Sequence, residues 1–137
     1  MKNGRLKWWL GVSLLVVLTG CGKSISKTDL PGTYVADYEF ATETVTIKED
    51  GQFIQSIQVK ANGKVTPKNG TWHFNQDDQD IVFSEDFIQV MNGFGKMIPN
   101  FDHPTRKAIS ILPVRRAFGK LQIGVDPEIP YKKLATP

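Results

Sequence analysis

Residues 32–59 read GTYVADYEFATETVTIKEDGQFIQSIQV, and this stretch decides the fold class. Polar and apolar side chains alternate along it, as where Val45 and Ile47 alternate with Thr44, Thr46 and Lys48. Alternation with a period of two is typical of a β-strand that buries one face. The pair Asp50-Gly51 between two such runs predicts a tight hairpin, because these residues tolerate the positive φ that the turn needs.

The same pattern continues outward from this stretch to the end of the chain. Turn residues interrupt it every 8–12 positions or so, which indicates an antiparallel sandwich or small barrel. We therefore predict an all-β antiparallel meander of about seven to eight strands, in a single domain of residues 29–137 that follows an N-terminal signal helix. Beyond the first two strands, the pattern predicts strands at 53–60, 71–74, 81–83, 108–112, 121–125 and 131–134, with a second hairpin turn at 61–64.

The amino terminus has the composition of an export signal. Lys2, Arg5 and Lys7 form a short positive region, and residues 8–18 are apolar apart from a glycine and a serine. Eleven helical residues span about 16 Å, roughly half of a ~30 Å hydrocarbon core. That length is too short for a spanning helix and typical of the apolar part of a signal peptide, which we assign to residues 1–20.

The signal ends in Leu18-Thr19-Gly20-Cys21. This tetrapeptide resembles the lipobox of bacterial lipoproteins, in which an aliphatic residue and two small residues precede a cysteine. The resemblance implies cleavage before Cys21 and attachment of a diacylglycerol to its thiol. The alternative is an ordinary signal peptide that ends near a buried cysteine. Two or three acyl chains hold a protein at a membrane far more firmly than one chain does.

The residue after the cysteine bears on localisation. Lipoproteins retained at an inner membrane typically carry aspartate there, and this chain has Gly22. The resemblance therefore implies an outer-membrane protein that faces the periplasm, or the outer face of the plasma membrane if the host has one membrane. Residues 21–28 are short and polar, and we predict that they form a lipidated tether.

Charge and cysteine content exclude some classes of function. Removing residues 1–20 takes away three of the 17 basic residues and leaves 14 against 14 acidic ones. A neutral domain lacks the basic surface that nucleic-acid binding requires, so we expect no nucleic-acid partner. Cys21 is the only cysteine, so the fold must be stable without a disulfide.

Two short motifs recur along the predicted strands. Gly32-Thr33-Tyr34 opens the first strand and Gly70-Thr71-Trp72 opens a later one, with Asp50-Gly51-Gln52-Phe53 between them. These motifs resemble the small bacterial lipocalin-like proteins, whose meander repeats a Gly-Thr-aromatic strand start and an Asp-Gly-x-aromatic turn. The resemblance covers residues 29–83. It implies a lipocalin-like barrel with aromatic side chains at its base, in a chain shorter than a true lipocalin, and it implies no reaction.

Residues 87–105 interrupt the strand pattern. They are too apolar for a solvated loop and contain two glycines and two prolines that prevent regular strand pairing. One interpretation is a strand through Met91 followed by a loop that plugs one end of the barrel. The other is a surface that contacts a ligand or partner, with four candidate residues: Phe94, Met97, Ile98 and Phe101.

The sequence assembles no recognisable catalytic, cofactor or metal site. His73 and His103 lie far apart, and a metal needs three or four convergent ligands. Residues 75–80 with Asp86 lack the central glycine and final glutamate of a calcium loop, so a polar turn explains them better. Phosphate-binding loops and nucleophile elbows are also missing from the sequence. We therefore expect that the protein binds no cofactor. We also expect that both histidines are polar residues of the surface.

Basic residues gather in the last third of the chain. They could approach anionic head groups or balance the acidic turns, and solvated strand faces are the favoured interpretation. The residues are Arg106, Lys107, Arg115, Arg116 and Lys120.

These observations favour a membrane-anchored module that is not an enzyme. Two alternatives stay open: a carrier of a small apolar ligand with residues 87–101 at its mouth, and an interaction or inhibitor protein of the cell envelope. A filled interior with an exposed apolar loop would favour the interaction protein.

Overall fold

Eight β-strands and one 3₁₀ turn form the regular structure of the residues that the computed structural model describes, which are 23–91, 96–98, 101, 107–124 and 130–135. The 3₁₀ turn spans Lys27–Asp29. The strands are β1 Gly32–Asp37, β2 Ala41–Ile47, β3 Gln52–Val59, β4 Val65–Asn75, β5 Asp80–Phe83, β6 Ser110–Ala117, β7 Lys120–Ile123 and β8 Tyr131–Lys133.

The strands form a closed antiparallel barrel in which each strand pairs with the next along the chain. The barrel closes where β1 pairs with β8, with Tyr34 opposite Lys133 and Val35 opposite Lys132. The all-β meander is thus confirmed, and the structure selects the barrel over the sandwich. Each strand of the described residues therefore has a neighbour on both sides over at least part of its length.

Two strands change partner partway along their length. β4 pairs with β3 up to Thr71 and with β5 from Trp72, and β6 pairs with β5 up to Pro113 and with β7 from Val114. The prediction that Gly70-Thr71-Trp72 opens a strand is therefore wrong, because these residues lie inside β4. A Cβ on Gly70 would collide with the Ser84 hydroxyl and the Phe53 ring, so this corner requires glycine.

The predicted strand at 108–112 is also displaced, since β6 begins at Ser110 and continues to Ala117. β6 runs through Pro113, although proline donates no hydrogen bond to a ladder. It is tolerated here because it is the last β6 residue paired with β5, and Val114 begins the pairing with β7.

Both predicted hairpin turns are confirmed. Gly51 has φ +83° in the β2–β3 turn, and Gly63 has φ +67° in the β3–β4 turn. Glycine adopts this left-handed conformation without the steric penalty of a side chain, which explains why Asp-Gly and Asn-Gly pairs mark these turns.

The barrel has two different ends. We call the end with the β2–β3, β4–β5 and β6–β7 turns the base, and the opposite end, with the β1–β2 and β3–β4 turns, the top. Ile25–Leu30 packs across the base: Leu30 is fully buried, and its carbonyl accepts a 2.7 Å hydrogen bond from the Tyr34 hydroxyl. Residues 25–28, half of the segment predicted as a tether, therefore belong to a stretch that is docked on the barrel.

Two neighbouring residues of β4 show which of its faces lies inside the barrel and which lies outside. Trp72 is buried near the base and donates from its indole nitrogen to the Lys48 carbonyl at 2.9 Å, whereas His73 is exposed. Trp72→Ala should therefore lower the free energy of unfolding by about 3–5 kcal/mol. The matched His73→Ala variant should lower it by less than about 0.5 kcal/mol. Urea denaturation of both variants measures the difference, and equal losses would contradict the assignment.

Candidate functional site

Two polar side chains occupy inward positions of the barrel wall. Glu43 lies on the β2 face that also carries Val45 and Ile47, and Gln55 lies on the β3 face that carries Phe53. Both polar side chains are fully buried, with 0% exposure. Burying a carboxyl group and an amide is costly unless hydrogen bonds replace those lost to water, so their partners define the site.

Glu43 accepts hydrogen bonds on both carboxyl oxygens. Tyr131 donates its hydroxyl to Oε2 at 2.8 Å, and Tyr38 donates to the same oxygen at 3.2 Å. The side-chain nitrogen of Gln55 donates to Oε1. Within the described residues, every buried side-chain nitrogen or oxygen has a partner. We call Glu43, Gln55, Tyr38 and Tyr131 the interior polar cluster.

Gln55 also binds the main chain of the β5–β6 connection. Its Oε1 accepts from the Ile88 amide at 2.9 Å, and its Nε2 donates to the Ile88 carbonyl at 2.7 Å. A single side chain thereby satisfies both backbone groups of a residue that has no strand partner. Since the segment Phe87–Val90 enters the interior at this point, we call it the plug segment.

The ring of Phe87 lies among aromatic side chains from three strands. Its centroid is 4.3 Å from that of Phe83 on β5, 5.6 Å from Phe53 on β3 and 6.3 Å from Tyr131 on β8. These strands are spread around the barrel, so Phe87 occupies its centre. Ile88 and Val90 are also buried.

The plug segment corrects the predicted strand through Met91. β5 ends at Phe83, and the chain then turns inward, while Met91 forms only an isolated bridge with Met97. The reason is hydrophobic: three of the four plug residues are apolar and are buried in the interior, where a continued strand would place alternate side chains outside.

Burial shifts the ionisation of the cluster. Desolvation raises the pKa of Glu43 from its ordinary 4.5 to about 7, although the hydrogen bonds from Gln55, Tyr131 and Tyr38 oppose the rise. Desolvation also raises the pKa of Tyr131, and the charge of Glu43 adds to that effect. Tyr131 therefore remains a neutral phenol that donates to Glu43, while Glu43 changes its proton occupancy near neutral pH.

The cluster can hold a proton on Glu43 and can position the plug segment through Gln55. Its carboxyl group has two phenols and one amide as neighbours, and none of these is an activated nucleophile. Among the described residues, no three His, Cys, Asp or Glu side chains lie together as metal ligands would.

The four candidate contact residues have different environments. Phe101 is buried, with its ring 6.3 Å from that of Phe40, and Ile98 packs partly against the core. Met97 is 48% exposed. Phe94 lies outside the described residues, as do Cys21 and His103. The role of these residues in binding stays a prediction.

Sequence reasoning missed the interior polar cluster, although a signal for it was present. Continuing the alternation of β2 back from Val45 places Glu43 on the buried face, and continuing that of β3 between Phe53 and Ile57 places Gln55 there. The prediction followed only apolar residues along each face and so passed over both.

Comparison with known proteins adds no family to this description. No protein-family model, curated protein or solved structure matches the chain. Over the part of the chain that the structure describes, no helix is both long and apolar enough to span a bilayer.

The raised pKa of Glu43 predicts a pH dependence of stability. Between pH 4.5 and about 7 the folded protein keeps a proton that the unfolded chain has released. The contribution of Glu43 to stability therefore falls as the pH rises through this window, by about 3 kcal/mol. Glu43→Gln, which resembles the neutral acid, should lose less stability than the wild type over the same range.

Urea denaturation at several pH values between 4.5 and 7.5 measures this difference. Glu39→Gln is the matched control because Glu39 is exposed, and it should follow the wild-type pH profile. Parallel profiles for the wild type and Glu43→Gln would show that Glu43 titrates normally.

Proposed function

We propose that the protein is a membrane-anchored bacterial lipoprotein whose barrel acts as a non-enzymatic interaction module of the cell envelope. The single observation that supports the interaction role is the position of Phe87. Its ring stacks on Phe83 inside the barrel, where a carrier would hold its ligand. A module filled by its own chain presents its outer surface and loops to partners.

The energetics of the plug segment favour this proposal over an open carrier. An entering ligand would have to displace three buried apolar side chains and break both hydrogen bonds from Gln55 to Ile88. Each buried aromatic or aliphatic side chain stabilises the fold by roughly 1.5–3 kcal/mol, so displacement is costly. The polar groups of Ile88 would also need new partners.

The absence of catalysis belongs to the same proposal. It is supported by the make-up of the interior polar cluster, in which the described residues place two phenols and one amide, but no second carboxyl group, beside Glu43. Glu43 and Tyr131 are both buried, and their hydrogen bonds are used within the cluster.

Anchoring is proposed from the lipobox at residues 18–21. Gly22 favours the outer membrane with the domain in the periplasm, or the outer face of the plasma membrane in a host with one membrane. On this proposal the only fixed partner is the membrane itself.

A second candidate is the carrier of a small apolar ligand. The specific observation in its favour is that the plug segment has no strand pairing and depends on Gln55, which in turn contacts Glu43. Because the pKa of Glu43 is about 7, a pH change could loosen this connection and open the interior.

The anchor is tested by Cys21→Ala. Without the thiol no diacylglycerol can be attached, and the signal should remain uncleaved because the lipobox is lost. Mass spectrometry should find lipid on the amino-terminal Cys21 of the wild type and an intact precursor for the variant. A wild-type chain that begins elsewhere, with an unmodified Cys21, would contradict the proposal.

The filled interior is tested with dansylaminoundecanoic acid, a fluorescent fatty acid. The wild type should give no saturable increase in dansyl emission at pH 5 or pH 7.5. Phe87→Ala removes the central ring and is the control for an opened interior. Saturable binding to the wild type, displaced by unlabelled fatty acid, would favour the carrier over the interaction module.

A further inference from the structure

The amino-terminal segment reaches the barrel at its base. The Ile25 amide donates to Gln79 Oε1 at 3.1 Å, and the Ile25 carbonyl accepts from Gln76 Nε2 at 2.6 Å. Gln76 also donates to the Ser24 hydroxyl at 3.3 Å. Gln76 and Gln79 belong to the β4–β5 turn, so the chain is held against this turn from Ser24 onward.

A short connection then separates the base from the proposed lipid on Cys21. Ser24, the first residue held at the base, is three residues from Cys21, and a fully extended chain covers at most about 11 Å over three residues. A lipid on Cys21, which is part of the proposed function, would therefore hold the base of the barrel against the bilayer.

The β6–β7 hairpin projects from the same base and carries an unusual residue. Phe118 is 102% exposed, as much as in an isolated chain, and it has φ +51°. Gly119 follows with φ +75°. Two-residue turns with positive φ at both positions prefer Asn, Asp or Gly, because a bulky side chain is strained there. Phe118 is thus an apolar side chain in a strained and fully solvated position.

Acidic residues predominate in two turns of the base. Glu49 and Asp50 lie in the β2–β3 turn, with Lys48 before them and Lys27 beside Glu49, and Asp77 and Asp78 lie in the β4–β5 turn. On the β6–β8 side, three basic residues accompany a single acidic residue, Asp29. A groove of about 340 Å³ on that side is lined by Asp29, Arg116, Gly119, Lys120, Leu121, Lys133, Leu134 and Ala135.

Two of the three basic residues in this groove are partly engaged by Asp29. Arg116 lies 3.3 Å from its carboxylate, and Lys133 donates to its carbonyl at 2.6 Å. Lys120 is exposed beside the hairpin tip, and Leu134 is 53% exposed at the end of β8. An exposed aromatic residue flanked by lysine matches the bilayer interface, where apolar groups enter the acyl boundary and cations meet lipid phosphates.

We propose that the β6–β7 hairpin is a membrane-contact element, with Phe118 inserted into the interface of the bilayer that holds the lipid anchor. Lys120 then faces anionic phosphates, and the acidic turns on the opposite side of the base tilt away from them. The occupant of this surface is the lipid bilayer rather than a protein, because the anchoring chain brings the bilayer to this end of the barrel.

The test uses the mature lipidated protein in vesicles of phosphatidylethanolamine and phosphatidylglycerol. Phe118→Cys and Asn62→Cys each introduce a thiol, one at the base and one in the β3–β4 turn at the top. A nitrobenzoxadiazole label on each thiol reports contact with the bilayer through quenching by nitroxide-labelled lipid. Cys21 takes no label when its thiol carries diacylglycerol, so labelling at Cys21 would reveal a missing anchor.

The label at position 118 should lose about half of its emission, as expected for a group that lies roughly 5–10 Å into the interface. The label at position 62 should keep its emission. Equal, weak quenching at both positions in a protein that carries lipid on Cys21 would overturn the membrane contact and leave the anchor intact. An unmodified Cys21 would overturn both proposals.

A second pair of variants separates the role of Phe118 from that of the turn. Asparagine suits positive φ, so Phe118→Asn should fold normally, and a label on Lys120→Cys reports the position of the hairpin. Phe118→Asn should reduce quenching at position 120 about twofold, whereas Ile111→Thr on the barrel wall should leave it unchanged. Unchanged quenching at position 120 in the Phe118→Asn variant would overturn the lipid contact. A label at position 118 that is shielded from solvent in native membranes but not in pure lipid would also overturn it, because a protein would then cover this position.

Discussion

The pair of hydrogen bonds between Gln55 and the backbone of Ile88 is the constraint on which the interior of this barrel depends. A segment that leaves a sheet and enters an apolar core loses water from its amide and carbonyl groups, and an unpaired buried group costs about 1–3 kcal/mol. A side-chain amide carries both donor hydrogens and an acceptor oxygen, so a single glutamine can replace a strand partner. Apolar packing around Phe87 then fills the centre, but packing has no direction, and Gln55 is what fixes the position of the chain.

The same amide explains why an acidic residue is accommodated inside. Gln55 Nε2 serves both the Ile88 carbonyl and Glu43, and Tyr131 and Tyr38 complete the contacts of Glu43. Because four side chains share these bonds, removing one leaves a buried partner unsatisfied, which makes the cluster cooperative. The protonation of Glu43 near neutral pH is therefore linked to the plug segment through one intermediate side chain, that of Gln55.

The sequence predicted the parts of the fold that local chemistry determines. Asp50-Gly51 and Asn62-Gly63 mark turns because of backbone sterics, and Trp72 and His73 separate because strand faces alternate. The prediction was wrong where tertiary contacts decide. Nothing local shows that β4 changes partner between Thr71 and Trp72, or that the chain after Phe83 turns into the core. A plug was one of the two interpretations of residues 87–105. Its hydrogen bond to Gln55, however, joins residues 33 positions apart, and no short-range sequence pattern predicts such a contact.

The two ends of the barrel have separate roles if the base lies on a bilayer. β3 has eight residues, which at about 3.4 Å each and a tilt near 40° give the wall a height of roughly 20 Å. Phe101, in the β5–β6 connection, packs against Phe40 of the β1–β2 turn at the top, so this residue would stand well beyond the lipid head groups. Met97, half-exposed, belongs to this connection and pairs with Met91 directly after the plug segment. A partner that contacts Met97 would thus act on residues that are connected to the interior polar cluster through the plug segment. The proposed interaction surface therefore has a physical connection to the ionisation of Glu43.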